Sequence, residues 1–174
     1  MKTYIPQFLS DLKNKFIFLD TNTFIALLSF ENQFSDLIIR LKTQSCTFFT
    51  IPSVKFEFSR TETIEGYNKR VEFLKTLCTI YPIERHLDDF NELILVLQKI
   101  NGKMSYTDFL LYCSLYKFRE AYLLTENHKD FLTSILERET VITLDDNKKE
   151  IRNIGVYKFN SQKYEKAASA ILEE

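Results

Sequence analysis

Short apolar runs alternate with amphipathic stretches along most of the chain. Lys15–Asp20 (KFIFLD) is apolar until its last residue and predicts a buried strand. A short apolar helix is predicted over Asn22–Phe30. A second helix follows over Asn32–Lys42, with Phe34, Leu37, Ile38 and Leu41 on one face. Cys46–Thr50 (CTFFT) predicts the next strand, and Pro52 suits the first turn of a helix over Pro52–Arg60. Longer helices are predicted over Gly66–Cys78 and Leu87–Ile100, with Gly102 as the stop of the latter. Ser105–Phe118 predicts a further helix, Ala121–Thr125 (AYLLT) a strand, Lys129–Leu136 a short helix and Thr140–Leu144 (TVITL) a strand. Asp145–Arg152 is polar and predicts an exposed turn. Ile154–Phe159 (IGVYKF) alternates in part and predicts an edge strand, and Ser161 is placed to cap a last helix over Gln162–Leu172.

Strands alternating with helices predict an α/β fold in three layers, α/β/α, with a central, mainly parallel sheet covered on both faces. The 174 residues make one domain, 1–174, without repeats or linkers. Its core runs over about 16–144, with an N-terminal helical extension over 1–14 and a C-terminal strand and helix over 153–172. In open parallel sheets, ligands gather beyond the carboxyl ends of the strands. The acids at those ends are therefore the residues to weigh.

Charge narrows the function. Lys and Arg total 23 against 24 Asp and Glu, a net charge of −1, which speaks against a high-affinity, non-specific nucleic-acid binder but not against a nuclease that carries its own metal. Any contact with RNA must be local or carried by bound cations. The 16 Phe speak first for core packing. Cys46, Cys78 and Cys113 are odd in number, form no Cys-x-x-Cys and sit among apolar neighbours, which predicts buried reduced thiols. The start MKTYIPQFLSDLKNK is too polar for a signal core, and no apolar run reaches the ~20 residues of a membrane span, so a cytoplasmic protein is expected.

Four acids stand where strands hand over to helices. Asp20 ends the first strand, followed by Thr21 and Asn22, and also suits a helix cap. Glu57 lies between Phe56 and Phe58, which predict a heavily buried helix in which a carboxylate needs a partner or an exposed face. Asp108 closes SYTD, a capping box with Ser105 at the N-cap, before the apolar run FLLYCSLYKF. TENHKDF, after the strand AYLLT, offers Glu126, Asn127 and Asp130 as oxygen ligands. Each acid alone has a plain structural explanation. Their shared position at strand ends predicts convergence. Several carboxylates in one cleft repel each other unless protons or cations neutralise them. Oxygen-only ligands suit Mg²⁺ or Mn²⁺. Such an ion beside a phosphodiester activates water and polarises the phosphoryl group.

FLDTN, the Glu after the second strand, SYTDFLLYCSLYK and LLTENHKDF together resemble the motifs of PIN domains, over about Phe16 to Leu144. PIN domains are metal-dependent ribonucleases, and many are the toxins of bacterial toxin–antitoxin pairs of the VapC type. The resemblance implies a PIN-like fold and Mg²⁺- or Mn²⁺-dependent endoribonuclease activity. It implies RNA as substrate and a protein antitoxin as partner; no membrane partner is expected, and a homodimer is one candidate assembly that the sequence leaves open. Asp20, Glu57 and Asp108 correspond to the three core metal-binding acids. Some members carry the fourth acid where Asn127 stands. Others carry Asn there and the acid where Asp130 stands, before a Phe; this chain resembles the second form, with Asn127 as a weaker contact. Thr21, Asn22, Ser105 and Thr125 match the polar residues that orient the acids. Unlike toxin members, the chain has residues 1–14 before its first strand and continues past the expected last one.

Other residues have weaker roles. His86 and His128 are too far apart in sequence for a zinc motif, though His128 lies near enough to the acids to approach a phosphate. Lys55, Arg60, Lys103 and Lys129 flank the acid-bearing segments and are candidates for phosphate contacts, and Tyr106 for stacking on a base. Two other functions compete with the nuclease. A phosphatase of the haloacid-dehalogenase type also ends its first strand in Asp, with LDD at Leu144–Asp146 as its late acids. It needs a second Asp where Asn22 stands. A non-catalytic PIN-like interaction module fits the near-neutral charge.

Overall fold

A computed structural model describes residues 12–29, 31–145 and 151–172. The first half runs β1 (Phe16–Leu19), α1 (Thr21–Ser29), α2 (Glu31–Thr43), β2 (Thr47–Thr50), α3 (Pro52–Ser59), α4 (Ile64–Leu77) and β3 (Thr79–Ile80). A 3₁₀ segment (Ile83–Phe90) leads into α5 (Asn91–Ile100), α6 (Tyr106–Lys117) and β4 (Tyr122–Thr125). β5 (Leu136–Asp145), β6 (Ile151–Phe159) and α7 (Ser161–Leu172) complete the order.

The six strands form one sheet in the order β3-β2-β1-β4-β6-β5. β1 pairs in parallel with β2 (Ile17 opposite Phe48) and with β4 (Phe18 opposite Leu123), and β3 extends the parallel set beyond β2. β6 is antiparallel to both β4 and β5. Ile17, Phe18 and Leu19 are all buried although their side chains alternate between faces. Both faces of β1 are therefore covered, as an uninterrupted apolar strand requires. The helices pack in two groups. α1 packs on α2 and α3, and α3 on α4; α5 packs on α7, and the 3₁₀ segment on α5 and α6. With the sheet between them these make the three α/β/α layers.

Several elements depart from expectation. Lys129–Leu136 is not a helix but two successive turns. The Tyr112 hydroxyl donates to the Asp130 carbonyl at 3.1 Å and accepts from the Leu132 N–H at 2.6 Å. It takes up backbone groups a helix would have paired internally. The Phe131 ring is buried against the Tyr112 ring, with centroids 5.4 Å apart. β6 is not an edge strand: β5 pairs along its whole length and takes the edge, and Ile154–Tyr157 is buried at four consecutive positions. The last helix is capped by Asn160, whose Oδ1 accepts from the Lys163 N–H at 3.0 Å; Ser161 instead takes a hydrogen bond from Arg119. The first part of the predicted Leu87–Ile100 helix is 3₁₀, with a kink at His86, and the two-residue β3 was not foreseen. Gly102 lies in the turn after α5 without a positive φ, so it acts as a turn residue and not as a left-handed stop. Most of the predicted extension (1–11), Phe30, and 146–150 of the predicted turn lie outside the described residues.

Among the described residues, no helix is long and apolar enough to cross a membrane. All three cysteines are free; Cys46 and Cys113 are buried and Cys78 is half-buried. Burial pushes the Cys78 and Cys113 thiols up to about 12, which leaves them protonated and unreactive.

Candidate functional site

From β1 the chain moves one way to β2 and β3, and later the other way to β4. This reversal opens a crevice at the carboxyl ends of β1 and β4. Asp20 stands there, 4% exposed. It caps α1: its Oδ1 accepts from the Thr23 N–H at 2.7 Å, and its carbonyl accepts from the Phe24 N–H at 3.2 Å. Its other carboxylate oxygen accepts from the Thr125 hydroxyl at the end of β4. Thr23 in turn donates to the Leu124 carbonyl at 2.7 Å, tying the start of α1 to β4. The cap and a role in the crevice are thus compatible for Asp20.

Glu57 enters from α3. Phe58 is buried, but Phe56 is 68% exposed, so α3 is buried on one side only; the expectation of a heavily buried helix is corrected here. Successive helix residues point about 100° apart, so three neighbours cannot all face the core. Both Glu57 oxygens are held by hydroxyls: Thr21 donates to Oε2 at 2.6 Å, and Thr107 donates to Oε1. Thr107 is buried at the start of α6 and was missed in the sequence. The capping box drew attention to Ser105 and Asp108 and left the threonine between them unexplained.

Asp108 is 8% exposed in the first turn of α6. Its N–H donates to Ser105 Oγ at 3.1 Å, and that hydroxyl donates to Asp108 Oδ2 at 2.6 Å. Asp130 is reached through the turns after β4, where the Asn127 amide donates to its Oδ2 at 2.7 Å. Glu126 is drawn aside by Arg152 at 3.3 Å and does not line the crevice. Neither does His128. Its ring sits over Gly155 on β6, with Nδ1 2.8 Å from the Tyr157 hydroxyl and Nε2 3.0 Å from the Asn153 carbonyl. Both nitrogens are used within the protein, which leaves none for a phosphate. Lys55, Arg60, Lys103 and Lys129 likewise form none of the crevice wall.

One cavity of about 310 Å³ is lined by Asp20, Glu57, Asp108 and Asp130, with Thr21, Asn22, Ser105, Thr107 and Asn127 between them. Thr125 stands behind Asp20 and is fully buried. Four carboxylates from four separate segments therefore share one space. Electrostatics registers their closeness. Burial pushes the Asp20 carboxyl up to about 6, against the hydrogen bonds from Thr125 and Thr23. Burial pushes Asp108 to about 6 as well, opposed by its bond to Ser105 and assisted by the charges of Asp130, Asp20 and Glu57.

Among the described residues, no three Asp, Glu, His or Cys side chains converge tightly enough to form a ready-made coordination sphere. The carboxylates are instead turned onto the hydroxyls and the amide named above. Zinc, whose protein sites are built mainly on Cys and His, does not suit a cavity wall that carries neither. Mg²⁺ does: it keeps several waters and uses one or two carboxylates. Six waters, at roughly 30 Å³ each, need about 180 Å³, less than the cavity offers.

Fold and site together define an α/β domain with an acid-lined crevice at the switch point of its sheet. Comparison of the chain with known protein families, characterised proteins and solved structures gave no match.

Proposed function

We propose that this protein is a metal-dependent endoribonuclease of the PIN type, acting as a toxin under the control of a protein antitoxin. The observation that supports it is the meeting of Asp20, Glu57, Asp108 and Asp130 in one cavity beyond the strand ends. One or two of these carboxylates would hold Mg²⁺ or Mn²⁺ directly, and the others, with the Asn127 amide, would act through its waters. When bound, such a cation polarises the phosphoryl group and acidifies water. Without a cation, burial pushes the Asp20 and Asp108 carboxyls up to about 6, so a bound cation would relieve the cost of holding both as anions. Thr21 and Thr107 keep the Glu57 carboxylate aimed at the cavity, and Thr125 does the same for Asp20. The direct test is cleavage of single-stranded RNA by the purified chain with Mg²⁺ or Mn²⁺. Cleavage is expected to stop with chelator and with Asp20→Asn, and expression of the wild type but not the variant should arrest growth. Cleavage that persists in Asp20→Asn would sink the reading.

Thr107 is a positioning residue, and its removal separates it from the acids. Thr107→Val keeps the shape of the side chain and deletes the donor to Glu57. The expected loss of stability is about 1–2 kcal/mol. The Mn²⁺ concentration for half-maximal cleavage should rise by roughly tenfold, since about 1.4 kcal/mol of binding is tenfold. Thr107→Ser should restore it. An unchanged Mn²⁺ requirement would show that Thr107 does not position Glu57 for the ion.

A second reading, a non-catalytic interaction module, is favoured by one observation: each of the four carboxylates already has a hydroxyl or amide partner. Calorimetry decides between the two. Absence of Mg²⁺ and Mn²⁺ binding to the folded chain would favour the module. The phosphatase alternative lacks its second acid, because the residue two after Asp20 is Asn22, a neutral amide in the cavity wall.

A further inference from the structure

Beside the acid-lined cavity lies a second and larger hollow, of about 370 Å³. It is formed by the end of α5, the turn after it and the first turns of α6. Ile94, Leu97 and Met104 make its apolar floor, and Tyr106 and Phe109 supply two aromatic rings 6.4 Å apart and inclined by 31°. Tyr106 is 57% exposed, so its ring is accessible from solvent. The rim carries two amides. Among the described residues the Gln98 side chain has no hydrogen-bond partner, and Asn101 uses only its Oδ1, on the Lys103 N–H at 3.3 Å. Ser105 lines both hollows, and its hydroxyl donates to the Asp108 carboxylate. Ser105 is thus common to the linings of the apolar pocket and the acid-lined cavity.

We infer that this pocket receives a nucleobase of single-stranded RNA and so sets the neighbouring phosphodiester among the acids. The inference rests on the ribonuclease reading above and adds to it where the substrate is gripped. A base is a flat aromatic body with a hydrogen-bonding edge. The two rings offer faces for stacking, and Gln98 and Asn101 offer amides that both donate and accept. A phosphate and the base of its own nucleotide are separated by one sugar, and the two hollows adjoin at Ser105. This also answers the chain's near-zero net charge. With 23 basic and 24 acidic residues the chain has no net positive charge to draw phosphates, and stacking would add a grip that does not depend on net charge. The stacking faces of paired bases are covered in a duplex, so the pocket would take an unpaired base.

The test scans short single-stranded RNAs in which one nucleotide at a time is abasic, cleaved by the full chain with Mn²⁺. One abasic position beside the cut bond is expected to lower kcat/KM by about tenfold, in line with the worth of one base stacked on an aromatic ring. Tyr106→Ala should lower cleavage of intact RNA by a similar factor and cause no further loss on that abasic RNA. Tyr106→Phe, which keeps the ring, should cleave normally. Melting temperatures of both variants should match the wild type, because the side chain is largely exposed. If the wild type cleaves but the abasic scan is flat, or if the two losses multiply, the pocket assignment is overturned and the ribonuclease reading stands. If the wild type cleaves no RNA, both fall together.

Discussion

Asp108→Asn is expected to raise the thermal stability of the metal-free protein at pH 7.5 and, in the same molecule, to remove metal-dependent cleavage. The gain follows from where the charge lies. Asp108 is almost fully buried, and burial together with Asp130, Asp20 and Glu57 pushes its carboxyl to about 6 from the usual 3.8. Above pH 6 the folded protein holds an anion that the unfolded chain would hold more easily. A shift of this size corresponds to about 3 kcal/mol, and relaxation around the site reduces the expected gain to roughly 1–2 kcal/mol. For a chain of this length that is about 3–6 °C in Tm. Asn is nearly isosteric. Its Oδ1 can accept from Ser105 as the carboxylate does, and its own N–H still reaches Ser105 Oγ, so the cap of α6 survives. The loss follows from the same charge, because a neutral amide lacks the negative charge that draws a divalent cation into the cavity. Cleavage should fall by about 10²–10³-fold, the scale of losing one electrostatic contact in a catalytic site. Differential scanning calorimetry and an RNA cleavage assay on one preparation check both halves. A destabilised variant would mean that the anion is not under strain. A stabilised variant that still cleaves would remove Asp108 from the site.

The acids that this experiment addresses were legible in the sequence to different degrees, for physical reasons. Asp20 was readable because a buried apolar strand that ends in a carboxylate must put that group at the sheet edge. Asp108 was readable because the capping box and the apolar run behind it fix both the start of α6 and its depth. Asp130 was placed with less support, and the short helix expected to carry it does not exist. Its backbone is shaped by Tyr112, 18 residues earlier, which no local pattern reveals. Thr107 was missed for the same reason. Its partner Glu57 is 50 residues away and becomes a neighbour only when α3 and α6 meet. Phe56 misled, since an aromatic residue beside Phe58 suggests burial, whereas helical geometry turns it outward to 68% exposure. The inner position of β6 was hidden too. Strand order is a property of pairing, and partial alternation in IGVYKF describes its faces and not its neighbours.

The metal-free protein should lose stability as pH rises from about 4 to 7, the reverse of ordinary acid denaturation, and divalent cation should restore it. Asp20 and Asp108 both titrate near 6 when folded and near 3.8 when unfolded. Between those values the folded state binds more protons than the unfolded state, so stability falls as pH increases. The contribution is fully present below about 3.8 and is lost as pH passes through 6. Two independent groups would supply about 6 kcal/mol, but these two repel each other and titrate as a coupled set, so a loss of roughly 2–4 kcal/mol is expected. Glu120 works in the opposite sense. Its hydrogen bond to Lys15 and the charge of Lys158 lower its carboxyl, but the pair is exposed and solvent screens it. Denaturant midpoints at pH 5 and pH 7.5 in the presence of chelator measure the fall. Added Mn²⁺ should raise the midpoint strongly at pH 7.5, by the amount binding to the folded state alone dictates. At pH 5 protons already neutralise the same carboxylates, so the rise should be small. Stability that is flat from pH 5 to 7.5 would deny that the acids are strained. A Mn²⁺ effect equal at both pH values would place the ion somewhere other than between Asp20 and Asp108.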